Sequence, residues 1–137
     1  MVASGLAMDE RGRVPMPPRF REAFVTGIVL TEGTPDRCVR AYPQSGFEEQ
    51  AAQYMAEPVT HRTGRVMRRE FFSRAYPSEL DRQGRVLVPG QLRSFAALEG
   101  QVTLLGSGEW IEIWSPDDLR KALAEEEDEY RRKLESE

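Results

Sequence analysis

Cysteine and long apolar runs are almost missing from this 137-residue chain, and each shortage excludes a class of protein. Cys38 is the only cysteine, which excludes an internal disulfide and is typical of a reducing cytoplasm. No run of about 18 apolar residues occurs, so the sequence predicts no membrane span. Residues 1–8 lack a basic start and a long apolar centre, so we expect no signal peptide. A cytoplasmic location is therefore predicted.

Motifs for catalysis and metal binding are also missing. His61 is the only histidine, and it stands beside Arg62 with no acidic motif nearby, which favours an incidental surface residue over a catalytic base. Cys38 falls in a predicted strand, where a buried apolar role is favoured. No cluster of metal ligands and no phosphate-binding loop occurs, and a serine–histidine–acid triad has no supporting motif. The sequence predicts no enzyme, no cofactor, no metal and no small-molecule substrate.

The distribution of charge leaves a nucleic-acid partner open. The formal net charge is −4, but residues 115–137 carry nine acidic and five basic residues, so residues 1–114 are balanced at 14 of each. The two lysines are Lys121 and Lys133, and every cation before them is an arginine. Arginine suits bidentate contacts to phosphate or guanine better than lysine does. The overall charge is therefore weak evidence for or against DNA binding.

A thirteen-residue phrase occurs twice. Residues 9–21 read DERGRVPMPPRFR and residues 81–93 read DRQGRVLVPGQLR, with Asp, Gly, Arg, Val, Pro and the final Arg at equivalent places. Repetition of this length indicates one structural unit used twice. The sequence predicts two halves, 1–70 and 71–137, which must pair because each is too small to bury much apolar surface alone.

The sequence of each half predicts the order strand, turn, strand, short helix, hairpin and helix. This order is typical of an α+β fold. Strands are predicted near 28–30, 38–42, 86–88, 102–105 and 110–114. Helices are predicted near 17–24, 45–55, 59–72 and 92–96, and from 116 onward. Residues 1–8 predict a short edge strand at best. In the last strand, Ile111 and Ile113 are predicted to face the core and Glu112 to face solvent.

The repeated Asp-x-x-Gly-Arg turn has two readings. Its residues are Asp9, Arg11, Gly12 and Arg13 in the first copy, and Asp81, Arg82, Gly84 and Arg85 in the second. In the first reading the aspartate bonds nearby amides, the glycine supplies positive φ, and the last arginine folds back onto the aspartate. In the second reading the turns also bind anions, because each has an additional arginine on an exposed loop. The residues alone leave both readings open.

Further motifs carry a resemblance to a known family. They are Tyr42-Pro43 followed by Phe47, Phe71-Phe72-Ser73-Arg74-Ala75 leading to Leu80-Asp81, and Glu112-Ile113-Trp114 before the last helix. Together with both copies of the turn phrase, these motifs resemble the MraZ family in order and spacing over nearly the whole chain.

The resemblance implies a bacterial regulator of transcription. MraZ proteins regulate the division and cell-wall gene cluster, which implies a nucleoid-associated, sequence-specific repressor that binds repeated promoter boxes in double-stranded DNA. The family fold is AbrB-like, with two pseudo-symmetric swapped-hairpin halves forming a small β-barrel-like core with flanking helices. The implied assembly is a homo-oligomeric ring.

The resemblance also assigns roles to the turns. The residues implied at the DNA are Arg13 and Arg85 as direct contacts, and Arg11 and Arg82 as supporting phosphate binders. The loop-orienting residues are Asp9, Gly12, Asp81 and Gly84. The alternative function is an AbrB-fold interaction module, such as an antitoxin that binds a partner protein. Such antitoxins typically carry one swapped hairpin and a disordered arm, whereas this chain has two copies and predicted helices.

Overall fold

A computed structural model describes residues 2–136, which fold into eight β-strands and five α-helices in two similar series. The first series is β1 Val2–Ala7, β2 Arg13–Pro15, α1 Pro18–Arg21, β3 Ile28–Glu32, β4 Val39–Pro43, α2 Gln44–Met55 and α3 Arg62–Ser73. The second series is β5 Tyr76–Ser78, β6 Arg85–Leu87, α4 Gly90–Phe95, β7 Gln101–Gly106, β8 Ile111–Trp114 and α5 Pro116–Glu135. The predicted mixed α+β class is confirmed.

The strands form two antiparallel sheets. Six strands lie in the order β1-β7-β8-β4-β3-β5, and β2 pairs with β6 in a separate two-stranded sheet. The larger sheet has two open ends among residues 2–136, so these strands form no closed barrel. The predicted barrel-like core is therefore not confirmed.

The two repeats exchange their leading strands. β1, which precedes the first turn, pairs with β7 of the second repeat, and β5, which precedes the second turn, pairs with β3 of the first repeat. The strands that follow the turns, β2 and β6, pair with each other. Val14 and Val86 on these two strands are fully buried in one core that contains residues of both repeats. Neither repeat therefore has a core of its own.

A proline directly precedes the short helix after each turn. Pro17 and Pro89 occupy the N-cap positions of α1 and α4 with φ of −55° and −57°. Proline suits this boundary because its fixed φ is compatible with the start of a helix and its missing N–H is not needed there. Phe20 on α1 and Leu92 on α4 are buried. This burial attaches the short helices to the core directly beside the turns.

The prediction for Glu112 is wrong. Its side chain is only 8% exposed, and it accepts hydrogen bonds from Nε1 of Trp110 at 3.0 Å and Nε1 of Trp114 at 2.9 Å. The face of the sheet opposite the core is covered by α2 and α5, so it is not open to water as an alternating strand pattern suggests. The carboxylate is tolerated there because both oxygens accept an indole N–H.

Strand β5 is the strand predicted before the second turn, although the sequence did not give its bounds. It has three residues and contains Pro77, and it pairs with β3 at the open end of the sheet. Proline is tolerated in such an edge strand because one side of the strand needs no ladder hydrogen bond. At the opposite edge, β1 runs over six residues and is longer than expected.

The predicted burial of Cys38 is confirmed. The thiol is fully buried and unpaired beside Trp114 and Leu119, and desolvation raises its pKa to about 12.

Beyond Leu119, α5 has a largely exposed apolar stripe of Leu123, Tyr130 and Leu134. No helix within residues 2–136 is both long and apolar enough to cross a membrane.

Candidate nucleic-acid interface

Both Asp-x-x-Gly-Arg phrases form the same tight turn. In the first turn the amide of Gly12 donates to the carbonyl of Asp9 at 3.0 Å, and in the second the amide of Gly84 donates to the carbonyl of Asp81 at 3.0 Å. The two glycines have φ of +87° and +75°, which lie in a region that side chains with a Cβ rarely adopt. The chain reverses at both sites because glycine is present.

In the first turn, the aspartate stabilises the loop. Oδ1 of Asp9 accepts the amides of Arg11 at 3.0 Å and Arg13 at 2.9 Å, while Oδ2 accepts Nε of Arg13 at 2.6 Å. The Asp9–Arg13 pair is roughly one-third exposed. Arg13 is therefore fixed in orientation by its own turn.

The second turn repeats this arrangement. Oδ1 of Asp81 accepts the amides of Gln83 and Arg85 at 2.9 Å each, and Oδ2 accepts Nε of Arg85 at 2.9 Å. The backbone amide of Arg13 has the largest effect in lowering the pKa of Asp9, and that of Arg85 has the largest effect in lowering the pKa of Asp81. Both aspartates are thus held ionised by their turns.

The two turns are bonded to each other. The amide of Met16 donates to the carbonyl of Gly84 at 2.8 Å, and the amide of Val88 donates to the carbonyl of Gly12 at 2.9 Å. These bonds extend the pairing of β2 with β6 into the turns. Nη1 of Arg85 also lies 3.6 Å from Oδ2 of Asp9 in the other turn, so the loops lie side by side.

Two arginines that the sequence analysis did not assign lie against the turns. A Cβ placed on Gly12 would lie 2.7 Å from Nε of Arg93, and one placed on Gly84 would lie 2.7 Å from Nη2 of Arg21. Each arginine therefore reaches the turn of the opposite repeat. The sequence signal was present, since Arg21 and Arg93 are the final arginines shared by the two thirteen-residue phrases.

Basic side chains outnumber acidic ones at the paired turns. The arginine cluster consists of Arg11, Arg13, Arg21, Arg82, Arg85 and Arg93. The carboxylates in the turns are Asp9, Glu10 and Asp81. Arg11 and Arg82 are exposed, and neither side chain forms a hydrogen bond or ion pair with any residue in the range 2–136. The structure thus brings all four predicted arginines together in a locally cationic surface.

Nothing in the described part of the chain resembles a metal centre, because residues 2–136 contain no group of three or more His, Cys, Asp or Glu side chains able to hold an ion. The chemistry available at the paired turns is hydrogen bonding and electrostatic attraction to an anion.

Comparison with known families identifies this arrangement. The family model described as "MraZ protein, putative antitoxin-like" matches residues 1–70 and again residues 71–136. The chain belongs to the MraZ family. Two matches in series agree with the repeated series of structural elements.

Relatives in this family are similar along most of their length. The transcriptional regulator MraZ of Salinispora tropica is 38% identical over 90% of this chain and 86% of its own. The regulator of Moorella thermoacetica is 39% identical over 90% of this chain and 85% of its own. The regulator of Roseiflexus castenholzii is 42% identical over 85% of this chain and 81% of its own. MraZ is a family of transcriptional regulators and not of enzymes, in agreement with the sequence prediction.

We expect Gly84→Ala to destabilise the protein more than Gly108→Ala. Both glycines have positive φ, so either alanine costs about 1 kcal/mol in backbone strain. Only at Gly84 must the new methyl group displace Arg21, whose Nε donates to the carbonyl of Met16 at 2.7 Å. Loss of that bond adds about 1 kcal/mol. Urea unfolding measures both variants, and equal losses would contradict the proposed displacement of Arg21.

We expect Asp9→Asn with Asp81→Asn to weaken the acid sensitivity of folding. In the folded protein the pKa of each aspartate lies below its ordinary value of 3.8. Each ionised aspartate therefore stabilises the folded state fully above pH 3.8, and this stabilisation is lost as the pH falls through the folded pKa. The double variant should melt below the wild-type temperature at pH 7 and lose less further stability between pH 5 and pH 3. Asp128→Asn on α5 is the control, since its carboxylate accepts no hydrogen bond within residues 2–136. An unchanged acid response in the double variant would refute this explanation.

Proposed function

We propose that this protein is a sequence-specific DNA-binding transcriptional regulator that binds promoter DNA through its paired turns. The observation that carries the proposal is the arginine cluster, in which two hydrogen-bonded turns contain four arginines and two further arginines pack against them. The relatives named transcriptional regulators support the same function. The genes proposed to be repressed are those of the bacterial division and cell-wall cluster.

The proposed roles of the turn residues follow from their partners. The aspartate and glycine of each turn orient the loop. Arg13 and Arg85 use Nε to bond their own aspartates, and Nη1 of Arg85 also faces Asp9, which leaves the Nη groups of Arg13 and Nη2 of Arg85 to contact DNA directly. Arg11 and Arg82, which are exposed, bind flanking phosphates. Arginine is suited to both roles because its planar donors match guanine and phosphate.

The two repeats, 1–70 and 71–137, are proposed to be AbrB-like swapped-hairpin halves. The exchange of β1 and β5 between repeats supports this proposal, as does the pairing of β2 with β6. With both turns on one surface, the halves offer DNA two similar loops related by pseudo-symmetry. The acidic run 125–129 lies on the largely exposed helix α5 and is not part of either turn.

Assembly into a homo-oligomeric ring is proposed to strengthen binding. One subunit has few cations, whereas several subunits gain affinity through effective concentration. Promoter boxes repeated about one helical turn apart would fit such an array. The exposed stripe of Leu123, Tyr130 and Leu134 on α5 supports association, since it presents apolar side chains along one helix. A nucleoid-associated location in the cytoplasm follows from this function.

We expect Arg11→Gln with Arg82→Gln to weaken binding to the promoter of the chain's own operon. Each lost phosphate contact should lower the affinity roughly tenfold near 0.1 M salt and reduce the slope of log K against log salt by about one. Gel shifts across a salt series measure both quantities. Melting should not change, because neither side chain has a partner within residues 2–136. Wild-type affinity at every salt concentration would contradict the role of these arginines.

The same gel shift distinguishes the proposed DNA-binding regulator from the alternative function. The description of the matching family model as antitoxin-like favours an interaction module that binds a partner protein. If the wild-type chain shifts its own promoter no better than unrelated DNA of equal length, the regulator proposal fails and the interaction module is favoured.

We expect the native protein to have a mass several times that of one chain. Light scattering at micromolar concentration measures this mass directly. Binding should also be cooperative, with DNA carrying two boxes bound much more tightly than DNA carrying one. A monomeric mass, or equal affinity for one and two boxes, would refute the proposed ring.

A further inference from the structure

We propose that Arg21 and Arg93 are two further phosphate-binding residues, and that each completes the DNA-binding turn of the opposite repeat. Arg21 ends α1 in the first repeat and reaches the second turn, while Arg93 lies on α4 in the second repeat and reaches the first turn. The inference rests on the proposed DNA-binding function and extends it to residues outside the Asp-x-x-Gly-Arg phrase.

The approach of each arginine to its turn is close and reciprocal. The Nε, Cζ and Cδ atoms of Arg93 all lie within 3.0 Å of the position that a Cβ on Gly12 would take. Arg21 occupies the same place over Gly84. Glycine thus serves two purposes at each turn, since it permits the positive φ and leaves space for a guanidinium group. Each binding surface is composed of a loop from one repeat and an arginine from the other.

The charge of these two arginines is not compensated by a nearby acid. Within residues 2–136, no carboxylate oxygen lies within 4.0 Å of either guanidinium group, in contrast to Arg13 and Arg85. Nε of Arg21 donates to the carbonyl of Met16, while Nε of Arg93 is buried without a hydrogen-bond partner. Nε of Arg93 packs against Gly12 and is out of reach of a ligand, so contact with a ligand is left to the Nη groups of the two arginines.

A phosphate group is the ligand that fits these donors. The Nη groups of both arginines form no hydrogen bond within residues 2–136, so their planar donors are available for bidentate contact with an oxyanion. Both side chains are half-buried, and their stems are attached to short helices that are anchored in the core. Such held side chains lose less conformational entropy on binding than free surface arginines do.

The test compares the double variant Arg21→Gln/Arg93→Gln with the wild type. The ligand is double-stranded DNA from the promoter of the chain's own operon. Removing two phosphate contacts should reduce the slope of log K against log salt by about two and weaken binding roughly a hundredfold near 0.1 M salt. Arg21→Lys with Arg93→Lys keeps the charges and should recover most of the slope. Arg120→Gln with Arg131→Gln on α5 is the matched control and should keep the wild-type slope.

A packing role predicts a different result. If the arginines only support the turns, the glutamine variant will melt at a lower temperature and bind more weakly but keep the wild-type salt slope, and the lysine variant will not restore affinity. Either an unchanged slope or an unchanged affinity in the glutamine variant overturns the inference. If Arg11→Gln with Arg82→Gln still weakens binding in that case, the proposed function remains and only this extension fails. If the wild type does not prefer its promoter, both fail.

Discussion

The pairing of β2 with β6 is the interaction on which the candidate site depends. These strands come from different repeats, and their ladder continues into the turns through bonds to the carbonyls of Gly12 and Gly84. Because Val14 and Val86 are fully buried on the same strands, separating the turns would also open the core. The loops are therefore supported by strands that are part of the buried core, and a rigid scaffold of this kind suits a loop that binds a ligand.

Within each turn, different residues build the loop and supply its positive charge. Aspartate and glycine satisfy the backbone and set its direction, and the aspartates also orient one arginine each through Nε. The remaining guanidinium groups make the surface cationic although the whole chain has a formal charge of −4. The excess of acidic over basic residues lies in residues 115–137, which include α5, so the net charge of the chain says little about the charge at the turns.

The sequence predicted the features that depend on local chemistry. The turns followed from Asp and Gly at fixed spacing, and the short helices followed from proline and the apolar residues after it. The burial of Glu112 could not be predicted because it depends on helices that cover the sheet from elsewhere in the chain. The bounds of strand β5 could not be predicted because its three residues pair only with β3 of the other repeat. The positions of Arg21 and Arg93 were missed because each side chain contacts the turn of the opposite repeat.

The exchange of leading strands makes this chain equivalent to a dimer whose two subunits have been joined end to end. Two separate copies of one repeat would have to find each other, and their stability would depend on protein concentration. Here α3 ends at Ser73 and β5 begins at Tyr76, so a very short connection keeps the second repeat beside the first. The folded unit is consequently independent of dilution, and its two repeats are free to differ in sequence, as Arg11 and Gln83 already do at equivalent places in the turns.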